Sequence, residues 1–241
     1  MKAEGKYIIG TETFQKILIP WSVTLFLVYL VSISKFKEFL RNRGVNREAI
    51  KQIMLCYNAF NLIIHSFIVI FLLPDFLYHF FKGPYSIACN EGELYTNRHS
   101  RWSVGMFTLS KSWLLFDTFI TISLSKELDY GSIIHHGLVL IQVGFTYKIS
   151  GASARLPIML NSLLGTLTYF YFIALHFDMK VNHLRRYIIM GQRWQFITGL
   201  LLIGMIKSWK NRGYDCDISY LALDFNLFIY ITFLLLSFLK S

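Results

Sequence analysis

The sequence predicts an all-α fold, a polytopic bundle of seven transmembrane helices, and three observations lead there. The chain of 241 residues is 54% hydrophobic and 17% aromatic but only 16% charged, whereas a soluble domain usually carries about 25% charged residues. Its apolar residues are gathered into seven long blocks. None of these shows the strict alternation of a barrel strand, and only helices or closed barrels satisfy their backbone groups in lipid.

The blocks run roughly over 17–33, 53–73, 102–124, 133–147, 156–177, 188–206 and 218–239. Spanning a hydrocarbon layer about 30 Å thick takes about 20 apolar residues at about 1.5 Å each. The first and fourth blocks are short for this and draw on their flanks. Polar-rich residues precede the first block and no small-residue cleavage site follows it, so it reads as a permanent helix rather than a signal peptide. The connections are short, with no solenoid repeat and no low-complexity linker, so residues 1–241 form one membrane domain. Nothing in the pattern points to nucleic acid.

Orientation follows from charge. Lys and Arg outside the blocks divide equally between the two sides, eleven each. The connection between blocks one and two concentrates Lys35, Lys37, Arg41, Arg43, Arg47 and Lys51. The positive-inside rule therefore places it in the cytosol, with the N-terminus lumenal and the C-terminus cytosolic. Parity puts Cys89 and Cys216 together on the opposite side. In an oxidising lumen they form a disulfide; the other reading is three unpaired thiols. Cys56, at the start of block two, reads as a buried thiol.

Polar groups inside the blocks are the functional candidates, because each is costly in lipid. Block three carries Lys111, Asp117 and Thr118, and block four opens with His135 and His136. Block five carries Asn161, Tyr169 and Tyr171, and block six opens with Gln192 and Gln195. Asp117, the histidines, Tyr171 and the glutamines share one level, in the half of the membrane facing the third and fifth connections. Asp224 lies nearer the other end of its block. Each has a plain structural reading: interfacial histidines, an amide bonding between helices, tyrosines in an aromatic belt. The agreement in depth is what favours a site. Two histidines and scattered carboxylates do not make a metal site, which needs three or four ligands.

These residues also carry a resemblance. Ser110-Lys111-Ser112-Trp113-Leu114-Leu115-Phe116-Asp117-Thr118 is similar to S-K-x-x-E-x-x-D-T, and Ser132 to His136 falls where H-x-x-H-H is expected. Asn161-Ser162 precedes Gly165 to Phe172, which aligns with H-x-x-M-Y-x-Y-Y. Gln192 to Phe196 resembles Q-x-x-Q-F, Cys89 to Trp102 a cysteine-led loop, and Tyr57-Asn58 a Trp-Asn pair. In this order and at these intervals the motifs resemble the ELO family of very-long-chain fatty acid elongases. A ceramide-synthase-like protein fits the Asn161 and glutamine intervals less well. A transporter would show internal symmetry or paired broken helices.

The resemblance implies an acyl-chain pocket within the bundle, residence in the endoplasmic reticulum membrane and a 3-oxoacyl-CoA synthase. Such an enzyme condenses acyl-CoA with malonyl-CoA, releases CO2 and CoA and needs no cofactor. It also implies partners among other elongation enzymes, or an elongase dimer. By match, His135 is nucleophile or base with His136 beside it, and Asp117 orients an imidazole. Lys111, Asn161, Tyr169, Tyr171, Gln192 and Gln195 bind substrate. Lys180, Arg185 and Arg186 are assigned to the CoA phosphates by charge. Five departures stand against this. Leu114 replaces the glutamate, Ser132 the first histidine of its motif, Gly165 the histidine opening the next, Thr168 its methionine and Phe172 its last tyrosine. Two functions follow: a divergent elongase, or an inactive relative that binds acyl-CoA or regulates a partner elongase.

Overall fold

Each apolar block falls on a helix: the helices of the first, second and sixth blocks run well past them at both ends, and the other four match theirs to within a few residues. The computed structural model describes residues 8–42, 46–124, 130–147 and 149–239, with the side chains of all but 8–15, 41, 42 and 239. Arg43 and Lys240 lie outside the described residues, and so does the side chain of Arg41. Among the described residues the α-helices are α1 (Ile8–Asn42), α2 (Arg47–Phe81), α3 (Pro84–Cys89), α4 (Arg98–Ser123), α5 (Tyr130–Thr146), α6 (Arg155–His176), α7 (Asn182–Asn211) and α8 (Tyr220–Leu239). A 3-10 turn over Gly151–Ala154 precedes α6, and there is no strand among the described residues.

In α1, α2 and α7 the block limits fall short of the helix limits, because hydrocarbon thickness sets the first and backbone hydrogen bonding the second. At 35 residues, α2 is about 52 Å long, well beyond the ~30 Å apolar layer. Local chemistry starts the helices. Asn46 Oδ1 accepts from the amides of Glu48 and Ala49 at 3.1 Å each, an N-cap for α2. Ser219 Oγ accepts from the Ala222 amide at 3.1 Å and caps α8. The α7 C-terminus closes on Gly213, at φ +84°, where the Tyr214 amide returns to the Trp209 carbonyl.

Among the described residues, five helices are long and apolar enough to cross a membrane: α1, α2, α6 with its preceding turn, α7 and α8. Their outward faces carry exposed Ile63, Phe67, Ile70, Leu201, Phe228 and Leu235, as lipid-facing helices do. This is a multi-pass membrane protein. The other two of the seven expected spans, α4 and α5, fall outside this group. α4 has the length but carries Arg98, Arg101, Lys111 and Asp117, while α5 is apolar but has only 17 residues. Cys56 corrects an expectation: it is exposed, not buried. In a membrane helix the outer face is as apolar as the inner one, so an apolar setting does not imply burial.

The chain divides into two compact units, with α2 and α4 each running through both. The first holds residues up to Asn58 together with Thr108–Tyr147. Here α5 packs along α1, and Tyr29, Ile33, Leu115, Ile122, Ile133 and Leu140 form the core. Gly144 admits the close approach, since a Cβ there would meet Ser22 Oγ at 2.5 Å.

The second unit holds Ala59–Phe107 and Lys148–Ser241. α7 packs on both α6 and α8, and α3 sits against the 3-10 turn. One end of this unit is tied together by its connections. Cys89 and Cys216 are bonded, with Cα atoms 4.2 Å apart. The Asp217 amide donates to the Cys89 carbonyl at 3.1 Å, and the Glu91 amide to Asp217 Oδ2 at 2.9 Å. Arg155, fully buried, donates to Asp75 Oδ2 at 2.6 Å and to the carbonyls of Ile87, Asn90 and Glu91 at 3.2, 3.1 and 2.8 Å.

Candidate functional site

The candidate residues fall into two sets, one in each unit.

In the first unit, α4 buries Ser110, Lys111 and Thr118 and leaves Asp117 half-buried. A lysine ammonium in an apolar helix is expensive to desolvate, so a buried Lys111 is not an accident of composition. The rotation of α4 is held from two sides. Tyr29 Oη and Thr118 Oγ1 share a hydrogen bond of 2.7 Å, and the Tyr57 hydroxyl donates to the Trp113 carbonyl at 3.1 Å. The Phe119 ring also meets Tyr29 edge-on at 6.0 Å. Asp117 is thereby fixed between two anchored positions. On α5, His135 and His136 are half-buried with ring centroids 5.9 Å apart. Gly137, next to them, faces Phe26 of α1 so closely that any side chain would collide. The histidines are thus carried on a helix seated hard against its neighbour. Leu114 and Ser132, the two departures in this unit, are both half-buried.

In the second unit, α6 buries Ser162, Tyr169 and Tyr171 and leaves Asn161 half-buried. α7 turns Gln195 and Phe196 inward, on a buried stripe that continues through Gly199, Leu202 and Ile206. Gln192 is exposed, so the two glutamines are presented differently. α7 also begins at Asn182 rather than near 188, which sets Gln192 and Gln195 about 15–20 Å along the helix instead of at its mouth. Lys180, Arg185 and Arg186 are exposed around the α6–α7 connection. Asp224, exposed, accepts from Lys207 Nζ at 2.5 Å.

α2 enters the motif pattern only through Tyr57 and Asn58. Its buried face carries Asn58, Asn61, His65, Ile68, Leu72 and His79, with Asp75 nearly buried, at helical spacings of three and four. The first three are polar in a block otherwise apolar, which is the signal that marks them. His79 Nδ1 lies 2.9 Å from Ser86 Oγ, and its Nε2 is 3.9 Å from Asp75 Oδ1. His65 stacks on Tyr169 of α6 with ring centroids 5.5 Å apart.

Comparison with known proteins agrees with the motif pattern. The ELO, or GNS1/SUR4, family model matches residues 17–240. Long chain fatty acid elongase 2 of Caenorhabditis elegans is 24% identical over 94% of this chain and 83% of its own length. Long chain fatty acid elongase 1 of the same organism is 24% identical over 84% of this chain and 75% of its own. Fatty acid elongase 2 of Trypanosoma cruzi is 29% identical over 67% of this chain and 58% of its own. With nearly its whole length inside the family model and its motif residues in order along α4 to α7, the chain belongs to the ELO (GNS1/SUR4) family.

Proposed function

We propose that this chain is a fatty acid elongase of the endoplasmic reticulum membrane, a 3-oxoacyl-CoA synthase that joins an acyl-CoA to malonyl-CoA. The observation that carries the reading is the family match over residues 17–240, within which Lys111, Tyr169 and Gln195 stay buried in apolar helices. Side chains so costly in lipid are kept when they have work to do.

The thioester carbonyl of acyl-CoA is attacked and its C–S bond breaks. Malonyl-CoA loses CO2, and the carbon so freed forms the new C–C bond. CoA departs as a thiolate that takes up one proton. His135 is the nucleophile or base of this scheme, with His136 beside it and Asp117 orienting an imidazole. Asn161, Tyr169, Tyr171 and Gln195 offer donors to the oxyanion and enolate. Lys111 belongs to the same substrate set, and Gln192, exposed on α7, makes at most a peripheral contact. Lys180, Arg185 and Arg186 are exposed cations suited to the CoA phosphates. The reaction as written uses no cofactor.

α4 and α5 complete seven spans in a single membrane domain, and the bundle encloses the acyl chain. The N-terminus is lumenal and the C-terminus cytosolic, a placing supported by the Cys89–Cys216 bond at the lumenal ends of α2 and α8. Other elongation enzymes, or a second elongase chain, are its partners.

The test is condensation by purified protein in micelles, with radiolabelled malonyl-CoA, a panel of acyl-CoAs and a His135→Ala control. Labelled 3-oxoacyl-CoA that the control abolishes supports the enzyme. Binding of acyl-CoA without product leaves an inactive relative, the reading that Leu114, Ser132 and Gly165 favour.

A further inference from the structure

Gly165 stands where the family motif has a histidine, and the structure has an imidazole against it all the same. A Cβ built on Gly165 would lie 2.6 Å from His65 Nδ1 and 2.8 Å from its Cγ. The ring of His65 therefore fills the space into which a side chain at 165 would begin. One turn further along α6, Tyr169 stacks on the same ring at an interplanar angle of 29°. His65 is 3% exposed, on the buried polar face of α2 one turn beyond Asn61.

Space-filling alone does not account for this choice. Leucine or phenylalanine would fill the gap beside Gly165 without the cost of drying an imidazole. The two positions also compete for one space: a side chain at 165 would require the His65 ring to move from where it now packs. We infer that His65 supplies, from α2, the imidazole that the motif otherwise supplies from position 165. It holds the proton taken up by the departing CoA sulfur. This rests on the elongase reading above. That reaction breaks the acyl C–S bond, forms a C–C bond as CO2 leaves and consumes one proton at the CoA thiolate. An imidazole is the side chain best matched to delivering it near neutral pH.

The experiment relocates the histidine. Condensation is measured for the wild type, His65→Phe, and the double variant His65→Ala/Gly165→His, each checked for a monodisperse elution profile in detergent. His65→Phe keeps an aromatic ring to stack on Tyr169 but holds no proton, and is expected to lower kcat by about 100-fold or more with KM little changed. The double variant is expected to recover at least about tenfold of that loss, with the pH profile of a histidine. Wild-type activity kept by His65→Phe overturns the inference and leaves the elongase intact. So does a well-folded double variant no more active than His65→Phe. If the double variant does not fold, His65→Gln beside His65→Phe decides: activity kept by either sinks the inference, and loss of kcat in both supports it. A wild type that makes no 3-oxoacyl-CoA overturns the elongase reading itself.

Discussion

Arg155 is fully buried and its Nε lies 2.6 Å from Asp75 Oδ2, an ion pair joining the start of α6 to the end of α2. The same guanidinium holds the carbonyls of Ile87, Asn90 and Glu91, so one side chain organises the connection that follows α2. Removing one partner of such a pair leaves a buried charge uncompensated, which typically costs roughly 3–5 kcal/mol. Arg155→Met is expected to lose that much, since three carbonyls are orphaned along with Asp75. Asp75→Asn keeps those carbonyls paired and is expected to lose less. Thermal unfolding in detergent, followed by tryptophan fluorescence, ranks them; an Arg155→Met protein as stable as Asp75→Asn would contradict this account.

The disulfide lies in the same layer. Of three cysteines in the chain, Cys89 and Cys216 are bonded and Cys56 is free and exposed. A maleimide reagent added to denatured protein should label one thiol before reduction and three after. Cys216→Ser is expected to cost roughly 2–4 kcal/mol. The lower end is favoured because α2, α7 and α8 stay threaded in the membrane and the unfolded chain has less freedom to lose.

How far the sequence could be read depended on what the signal was. Long apolar blocks located the helices because hydrocarbon thickness imposes their length. The motif intervals singled out Asp117, His135 and Asn161, which fall on α4, α5 and α6 in that order. Arg155 and Asp75 were hidden by the same block logic: lying just outside the apolar limits, they read as loop charges, though their helices run on and bury them. Gln192 and Gln195 looked equivalent in sequence, and only the rotation of α7 separates them. His65 carried a signal, as a polar residue in an apolar block, but its meaning depends on the missing side chain of Gly165, a hundred residues away along the chain.

Two glycines with positive φ should answer differently to substitution. Gly151 has φ +48°, and a Cβ there would run into the backbone carbonyl of Asp217. Gly213 has φ +84°, and a Cβ there would have nothing within 4 Å. Alanine at 213 carries only the left-handed penalty of about 1–2 kcal/mol, and asparagine, which tolerates that conformation, costs less. Alanine and asparagine at 151 both meet the Asp217 backbone, so asparagine should not rescue. Melting temperatures of the four variants check this, and a Gly151→Asn protein as stable as Gly213→Asn would rule out the steric account.

The glutamines of α7 give the sharpest test of which face of that helix works. Gln195 is buried on the stripe that carries Phe196 and Gly199, while Gln192 is exposed. If donors from α7 stabilise negative charge in the reaction, they come from the buried face, where water does not compete. Gln195→Ala is therefore expected to lower kcat/KM for condensation by about 10- to 100-fold, and Gln192→Ala by no more than about threefold. The conservative Gln195→Asn shortens the donor without removing it and should fall between. Stability is measured alongside, because an emptied site at 195 also leaves a cavity. Equal stability with unequal kcat/KM assigns the difference to chemistry. A larger loss at Gln192 would mean that substrate meets α7 on its exposed face, and the assignment of Gln195 to the oxyanion would have to be given up.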